Sequence, residues 1–216
     1  MRPLSRAVFG SLLLIGGPLA HAAEGQKIFT QGGENPAAMA CLGCHGADAQ
    51  GIAAAGFPRL AGLSAAYLSK QLDDFRRGTR RQPVMEPLAK AMTDAEIASV
   101  SRYLESLPVT VVPGPRRREM ASDAVTRLAL YGDWSRDIPG CVQCHGPGGT
   151  GIGEHFPPLA GQPAAYLAAQ LDAWRSGSRS NDPNQLMVGV AKAMTEEEVK
   201  AIASYFAQPV AQEATR

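Results

Sequence analysis

The stretch Cys41-Leu42-Gly43-Cys44-His45-Gly46 recurs one hundred residues later as Cys141-Val142-Gln143-Cys144-His145-Gly146. The chain repeats itself outside this stretch as well. Segments 57–68 and 85–103 match segments 156–167 and 187–205. A repeat of this extent predicts two homologous domains within the 216 residues.

The repeated pattern C-x-x-C-H is the attachment signature of c-type haem. Two thiols one helical turn apart can add to the two vinyl groups on one edge of a porphyrin, and the adjacent histidine then ligates the iron. The two copies use all four cysteines of the chain. We therefore expect two covalently bound haem c groups. The predicted attachment residues are Cys41, Cys44, Cys141 and Cys144, and the predicted iron ligands are His45 and His145.

Two other chemistries of paired cysteines are weaker alternatives. A thioredoxin-like dithiol is expected beside a βαβ pattern, and no alternating strand pattern of useful length is present. A zinc site made from all four cysteines would leave the two histidines and the duplication without a role.

Methionine is the expected second ligand of each iron, and two methionine pairs repeat. Met92 and Met194 each precede a Thr-x-x-Glu capping box, where a hydrophobic staple explains them. Met85 and Met187 lie in Pro-flanked or polar sequence that predicts a loop, from which a thioether can reach a buried metal. Met85 and Met187 are therefore the predicted sixth ligands. The Met92/Met194 pair, and His155 in place of Met187, remain alternatives.

A ligating histidine usually donates its other ring N–H to a carbonyl or carboxylate oxygen. The carbonyls of Pro58 and Pro157 are candidates for this role, because these prolines follow the two histidines at nearly equal spacing. Further repeated polar residues are expected either to bind haem propionates or to meet across the domain interface. They are Tyr67, Gln71 and Arg76 in the first half and Tyr166, Gln170 and Arg175 in the second.

The N-terminus has the pattern of a secretory signal peptide. Arg2 and Arg6 precede an apolar run from Ala7 to Leu19, and Ala20-His21-Ala22 offers a small-residue cleavage site. The run is too short to span a bilayer. We predict a signal segment over 1–22, cleavage near Ala22/Ala23 and a periplasmic mature protein, with an uncleaved membrane anchor as the alternative.

Composition and patterning predict a globular, helical protein. The chain is 45% hydrophobic with a net charge of +1, which gives no support for nucleic-acid binding. The predicted domains cover 23–107 and 120–216, and a Pro- and Arg-rich linker joins them over 108–119. Apolar residues at helical spacing predict helices ending at Gly78 and Gly177, and further helices near the end of each half.

These residues resemble the dihaem cytochrome c4 family, which has two tandem class I cytochrome c domains. The resemblance rests on both C-x-x-C-H motifs, on Phe57-Pro58-x-Leu60-Ala61-Gly62 with its repeat, and on Met85 and Met187. It implies an all-α fold in which each domain wraps around one haem and the domains face each other about a pseudo-twofold axis. It also places Gly25 and Phe29 at a helix crossing near Tyr103, with Arg127 and Tyr131 in their places in the second half.

If a histidine and a methionine fill both remaining coordination positions of each iron, no position is left for a substrate. This favours one-electron transfer over catalysis. The resemblance implies an electron carrier between respiratory-chain donors, such as a cytochrome bc-type complex, and acceptors such as a terminal oxidase. Peripheral association with a membrane is left open. Two alternatives remain: the cytochrome subunit of a larger flavocytochrome-type dehydrogenase, and a peroxidase-like enzyme with one open haem.

Overall fold

The computed structural model describes residues 18–110 and 123–208, with side chains from residue 23 onward. The first half contains α1 (Pro18–Gln31), α2 (Leu42–His45), α3 (Ala65–Arg77), α4 (Met85–Ala91) and α5 (Asp94–Ser106). The second half contains α6 (Ala124–Tyr131), α7 (Cys141–His145), α8 (Ala164–Ser176), α9 (Leu186–Ala193) and α10 (Glu196–Ala207). A short antiparallel pair, β1 (Gly132–Asp133) and β2 (Ile138–Pro139), precedes α7.

The two halves have the same helical architecture, which confirms the predicted all-α fold. In the first half, α5 packs against α1 and α3, and α3 also packs against α4. In the second half, α10 packs against α6 and α8, and α8 packs against α9. Each half has its own hydrophobic core.

The helix ends confirm the predicted stop and start signals. Gly78 and Gly177 follow α3 and α8 with φ of 76° and 75°, a left-handed conformation that glycine adopts without strain. Thr93 and Thr195 begin α5 and α10 with complete capping boxes.

The crossing of α1 and α5 depends on a glycine. A Cβ at Gly25 would lie 2.2 Å from the carbonyl oxygen of Ser99, so only glycine permits this approach. Phe29 is completely buried one turn later, with its ring centroid 5.7 Å from that of Tyr103. The predicted role of Gly25 and Phe29 is confirmed.

The second half lacks this glycine–aromatic pair, as its sequence indicates. Arg127 and Tyr131 are both exposed. Ala129 is completely buried, and Val125 packs against the same core. Other residues of α6 therefore face the core in the second half.

The two halves meet in a near-symmetric contact. Arg80 and Arg179 occupy equivalent positions in the repeat and face each other in an antiparallel bridge. The flanking backbone bonds, Arg81 N–H to the Ser178 carbonyl and Ser180 N–H to the Thr79 carbonyl, both measure 2.8 Å. This reciprocal pairing is what an approximate twofold relation between the halves requires.

Two predicted segments, the signal segment and the linker, lie partly outside the described residues. The signal segment is outside them up to residue 17, and its predicted cleavage point lies within α1. The linker is outside them from residue 111 onward. In the described parts of the chain, no helix combines the length and apolar character needed to cross a membrane.

An ion pair fixes the loop before α7, and it provides a pH-dependent test. Arg136 donates to both carboxylate oxygens of Glu198, at 2.9 and 2.6 Å, and these bonds lower the pKa of Glu198. The stabilisation is therefore present above the ordinary carboxyl pKa and is lost as pH falls through the lowered one. We expect Glu198→Gln to lower the unfolding temperature of the second half by several degrees at neutral pH.

This difference from wild type should vanish in acid, as followed by thermal circular dichroism across pH. Glu196→Gln, an exposed residue in the same helical turn, is the matched control and should have little effect. A Glu198→Gln deficit that persists unchanged in strong acid would rule out the ion pair as its cause.

Candidate haem sites

The first site is built around the short helix α2. Cys41 and Cys44 are half-buried and lie one turn apart, and His45 ends the helix with only 7% of its surface exposed. All three line a cavity of about 750 Å³, which Met85 and Met92 also line.

The histidine ring is oriented by a loop carbonyl, as predicted. His45 Nδ1 lies 3.0 Å from the carbonyl oxygen of Pro58. Because a carbonyl oxygen only accepts, Nδ1 carries the proton, and Nε2 keeps a lone pair for a metal. Burial lowers the pKa of His45, which favours the neutral ring needed for ligation.

A glycine brings this loop close enough to reach the histidine. Gly51 has a φ of +83°, and a Cβ there would lie 2.6 Å from the carbonyl oxygen of Phe57. The Gly51 N–H also donates to the His45 carbonyl at 2.9 Å. The Pro58 carbonyl is thereby placed against the imidazole.

The second half repeats this arrangement. His145, 9% exposed, lies at the end of α7, and its Nδ1 is 2.7 Å from the carbonyl oxygen of Pro157. Burial lowers the pKa of His145 as well. Cys141 and Cys144 are half-buried on the same helix.

The thiols do not have the properties of a redox dithiol. All four cysteines are free, and burial raises the pKa of Cys41 to about 11 and that of Cys141 to about 12. Reactive dithiols instead have a lowered thiol pKa. The zinc alternative is wrong for the described residues, since no three His, Cys, Asp or Glu side chains there are grouped to hold a metal ion.

The structure corrects the local environment of the predicted methionine ligands. Met85 is the first residue of α4 and Met187 the second residue of α9, so both belong to a first helical turn and not to a loop. Met187 is half-buried against the second core, whereas Met194 is 5% exposed within it. His155 is exposed, as a surface residue would be.

Two arginines at the domain interface were missed by sequence reasoning. Arg80 and Arg179 are buried, with 7% and 4% of their surfaces exposed, and both line the cavity of the first site. Their guanidinium carbons lie 4.6 Å from the ring centre of Phe75 and 4.0 Å from that of Trp174. The available signal was the repeated Gly-x-Arg at the end of α3 and α8.

The interface confirms one predicted set of contacts and corrects another. Arg80 donates to the Tyr166 hydroxyl and to Gln170, at 2.9 and 2.7 Å, and Arg179 donates to Gln71 at 3.0 Å. The repeated tyrosines and glutamines therefore do meet at the interface. The expectation for Arg76 and Arg175 is wrong, because they pair with Asp94 and Asp172 on the surface.

The charge at this interface provides the test of whether a haem fits. No carboxylate forms a salt bridge with Arg80 or Arg179 within the described residues, and nearby Asp74 is paired with Lys70. Burial and the charge of Arg80 both lower the pKa of Arg179. Buried charges normally require partners, so this surplus of positive charge calls for an anionic group in the cavity. Haem propionates have that chemistry, and the donor set fits the cofactor.

Two helical domains, each with a buried, carbonyl-anchored histidine beside two thiols one turn apart, define a protein with two c-type cytochrome domains. The sequence model of the cytochrome c family matches residues 22–108 and 136–208. The chain therefore belongs to the cytochrome c family, and its relatives place it in the dihaem cytochrome c4 family.

Three comparisons describe this placement. The chain is 60% identical to the "Thiosulfate dehydrogenase electron acceptor" of Stutzerimonas stutzeri (strain A1501), over 87% of each chain. It is 36% identical to the "Cytochrome c4" of Thiocapsa roseopersicina, over 81% of this chain and 90% of that one. A solved structure titled thiosulfate dehydrogenase (TsdBA), from Marichromatium purpuratum, has a TM-score of 0.78 and 46% identity; the match covers 90% of this chain but 42% of that longer chain.

Family membership settles the cofactor and the general role. The chain carries two covalently bound haem c groups, and it is a dihaem electron carrier. The predicted recognition, fold class and cofactor are confirmed.

Proposed function

We propose that this protein accepts electrons from a thiosulfate dehydrogenase in the bacterial periplasm and passes them on through its two haems. The observation that carries the proposal is the 60% identity to a protein named for this role, supported by a second such relative at 46%. This donor takes the place of the cytochrome bc-type complex expected from the sequence. A terminal oxidase as acceptor, the signal segment over 1–22 and its cleavage near Ala22/Ala23 remain predictions.

In each half, one set of residues would attach the haem covalently and another would ligate its iron. The bound haem supplies a one-electron Fe(III)/Fe(II) couple. Cys41 and Cys44 would attach the first haem, and Cys141 and Cys144 the second. Cys41 is the N-cap residue of α2 and Cys44 lies within it, whereas Cys141 and Cys144 both lie within α7. These assignments follow from the repeated motif and from the half-buried position of all four thiols.

We propose that His45 and Met85 would hold the iron of the first haem, and His145 and Met187 that of the second. Both imidazoles have an anchored Nδ1, which leaves Nε2 free. Met85 lines the same cavity as His45. In the second half, the half-buried Met187 is better placed to move toward a metal than Met194, which lies in the core.

Arg80 and Arg179 would bind the haem propionates and so place positive charge beside the cofactors. A nearby cation stabilises the electron-richer Fe(II) state, so we expect Arg80→Gln to lower the midpoint potential of the adjacent haem. An interaction of about 1 kcal/mol corresponds to a decrease of roughly 40 mV for one-electron transfer. Spectroelectrochemical titration measures the change.

Arg76→Gln is the matched control for this variant, because Arg76 lies in the last turn of α3, four residues before Arg80, but pairs with a surface aspartate. It should leave both potentials unchanged. Equal shifts in the two variants would show that the effect is a general change in surface charge and not the proposed contact.

The donor is tested by mixing the oxidised holoprotein with a thiosulfate dehydrogenase and thiosulfate in a stopped-flow instrument. We expect both haems to be reduced, whereas thiosulfate without the enzyme should reduce them far more slowly. Failure of the enzyme to accelerate reduction would overturn the proposed donor. Carbon monoxide added to the reduced protein should bind little, because closed irons leave no free position; rapid binding would favour the peroxidase-like alternative.

A further inference from the structure

Asn181, in the segment that leads into α9, is held by side chains of the other half. Its side-chain amide donates to the Asp74 carboxylate at 2.7 Å and to Gln71 at 2.9 Å. Lys70 donates to its backbone carbonyl at 2.8 Å and also pairs with Asp74. Asp74 is buried, so this contact is shielded from solvent.

The segment beyond Asn181 leads directly to the proposed second sixth ligand. Asp182 accepts the Val188 N–H at 3.0 Å, which closes a loop around Met187. Between them, Asn184 and Gln185 both have φ of 56°, in the left-handed region that non-glycine residues rarely adopt. Consecutive residues in this conformation persist only where the surroundings hold them.

The first half does not have the reciprocal arrangement. In the segment before Met85, the side chain of Gln82 accepts the N–H groups of Val84 and Met85, both at 2.7 Å. In the described chain, no hydrogen bond joins residues 82–85 to the second half. The repeat equivalents of Lys70 and Asp74 are Ala169 and Ala173, which cannot form such a clamp.

We infer that the first half holds the second iron's ligand segment in place, with Asp74 and Lys70 acting through Asn181 as positioning residues for Met187. The segment that carries Met85, the proposed ligand of the first iron, is held by residues of its own half. This inference rests on the proposed function, in which Met187 ligates the second iron. Loosening the clamp should therefore free the second methionine and leave the first bound.

The experiment uses full-length oxidised holoprotein and imidazole, which enters an iron site only when the methionine leaves. We expect Asp74→Ala and Asn181→Ala to raise the imidazole-binding rate at one of the two haems on the order of tenfold, as expected for the loss of a charged, buried hydrogen bond. Asp74→Asn keeps an acceptor for Asn181 and should restore most of the wild-type rate. A Met187→Ala reference, whose second iron is open from the start, identifies which part of the absorbance change belongs to that haem.

Two controls complete the design. Asp73→Ala removes the neighbouring carboxylate, which pairs with Arg76 instead, and should leave both rates unchanged. Gln82→Ala should accelerate binding at the first haem and not at the second. Asp74→Ala should thus act at the second haem alone and Gln82→Ala at the first haem alone. A general weakening of the interface would not produce these opposite responses.

The outcomes separate the inference from the function on which it rests. Equal acceleration at both haems in Asp74→Ala, or none at either, would overturn the clamp while leaving the proposed ligation intact. Immediate imidazole binding at the second haem of the wild type would instead show that Met187 is not a ligand, and the proposed function would fail at that point.

Discussion

Replacing Cys41 and Cys44 together by serine is expected to yield a chain that carries one haem and has an unfolded first half. The walls of the first cavity include Leu68, Val100 and Leu104, which belong to the core of that domain. Without an attached porphyrin these side chains would face empty or water-filled space. The first domain would thus lose the centre of its core.

The size of the cavity indicates how large this effect is. Truncating a single buried side chain to alanine costs about 2–5 kcal/mol, a large part of the roughly 5–15 kcal/mol by which domains are stable, and the cavity of about 750 Å³ is far larger than such a side chain. The unloaded half should therefore unfold or collapse instead of keeping its shape. Haem counted per chain should fall from two to one, with a matching loss of helical circular dichroism.

The equivalent variant of Cys141 and Cys144 is the natural control, and it should remove the other haem and unfold the other half. A double serine variant that still binds two haems covalently would contradict the assigned attachment residues. Unchanged helical content with one haem would contradict the structural role of the porphyrin.

The second large effect concerns the sixth ligands. Changing Met85 or Met187 to histidine is expected to lower the midpoint potential of the corresponding haem substantially, because a methionine ligand raises the potential relative to a stronger nitrogen donor. Axial ligands as a class set haem potentials over about 0.8 V. The shift should therefore exceed the effect of any surface charge, and a spectroelectrochemical titration would resolve it.

Met92→His and Met194→His provide the matched comparison. Both residues follow the same helices, α4 and α9, and both precede capping boxes. If the proposed ligation is correct, these variants change stability more than potential. A large potential shift in Met92→His with none in Met85→His would reassign the first sixth ligand, since both methionines line that cavity.

The errors of sequence reasoning have identifiable physical causes. Pro83 before Met85 suggested a loop, but α4 begins only two residues later, at Met85, and it accommodates Pro87 in its first turn, where the missing N–H is tolerated. Arg76 and Arg175 repeat on α3 and α8 like the interface tyrosines and glutamines, but they pair with Asp94 and Asp172 on the surface. In both cases a local pattern admitted two structures, and packing selected one.

By itself, the sequence determined the duplication, which is a direct comparison of two segments. It also determined the helical class, the attachment motif and the candidate carbonyl partners of the histidines, because each of these depends on residues close together in the chain. The pairing of Arg80 with Arg179 and the hold of Asp74 on Asn181 were decided only by the tertiary structure. These residues come from opposite halves, about a hundred positions apart. The repeated Gly-x-Arg marks the two arginines as equivalent, but the local sequence does not identify a partner that becomes a neighbour only when two folded domains face each other.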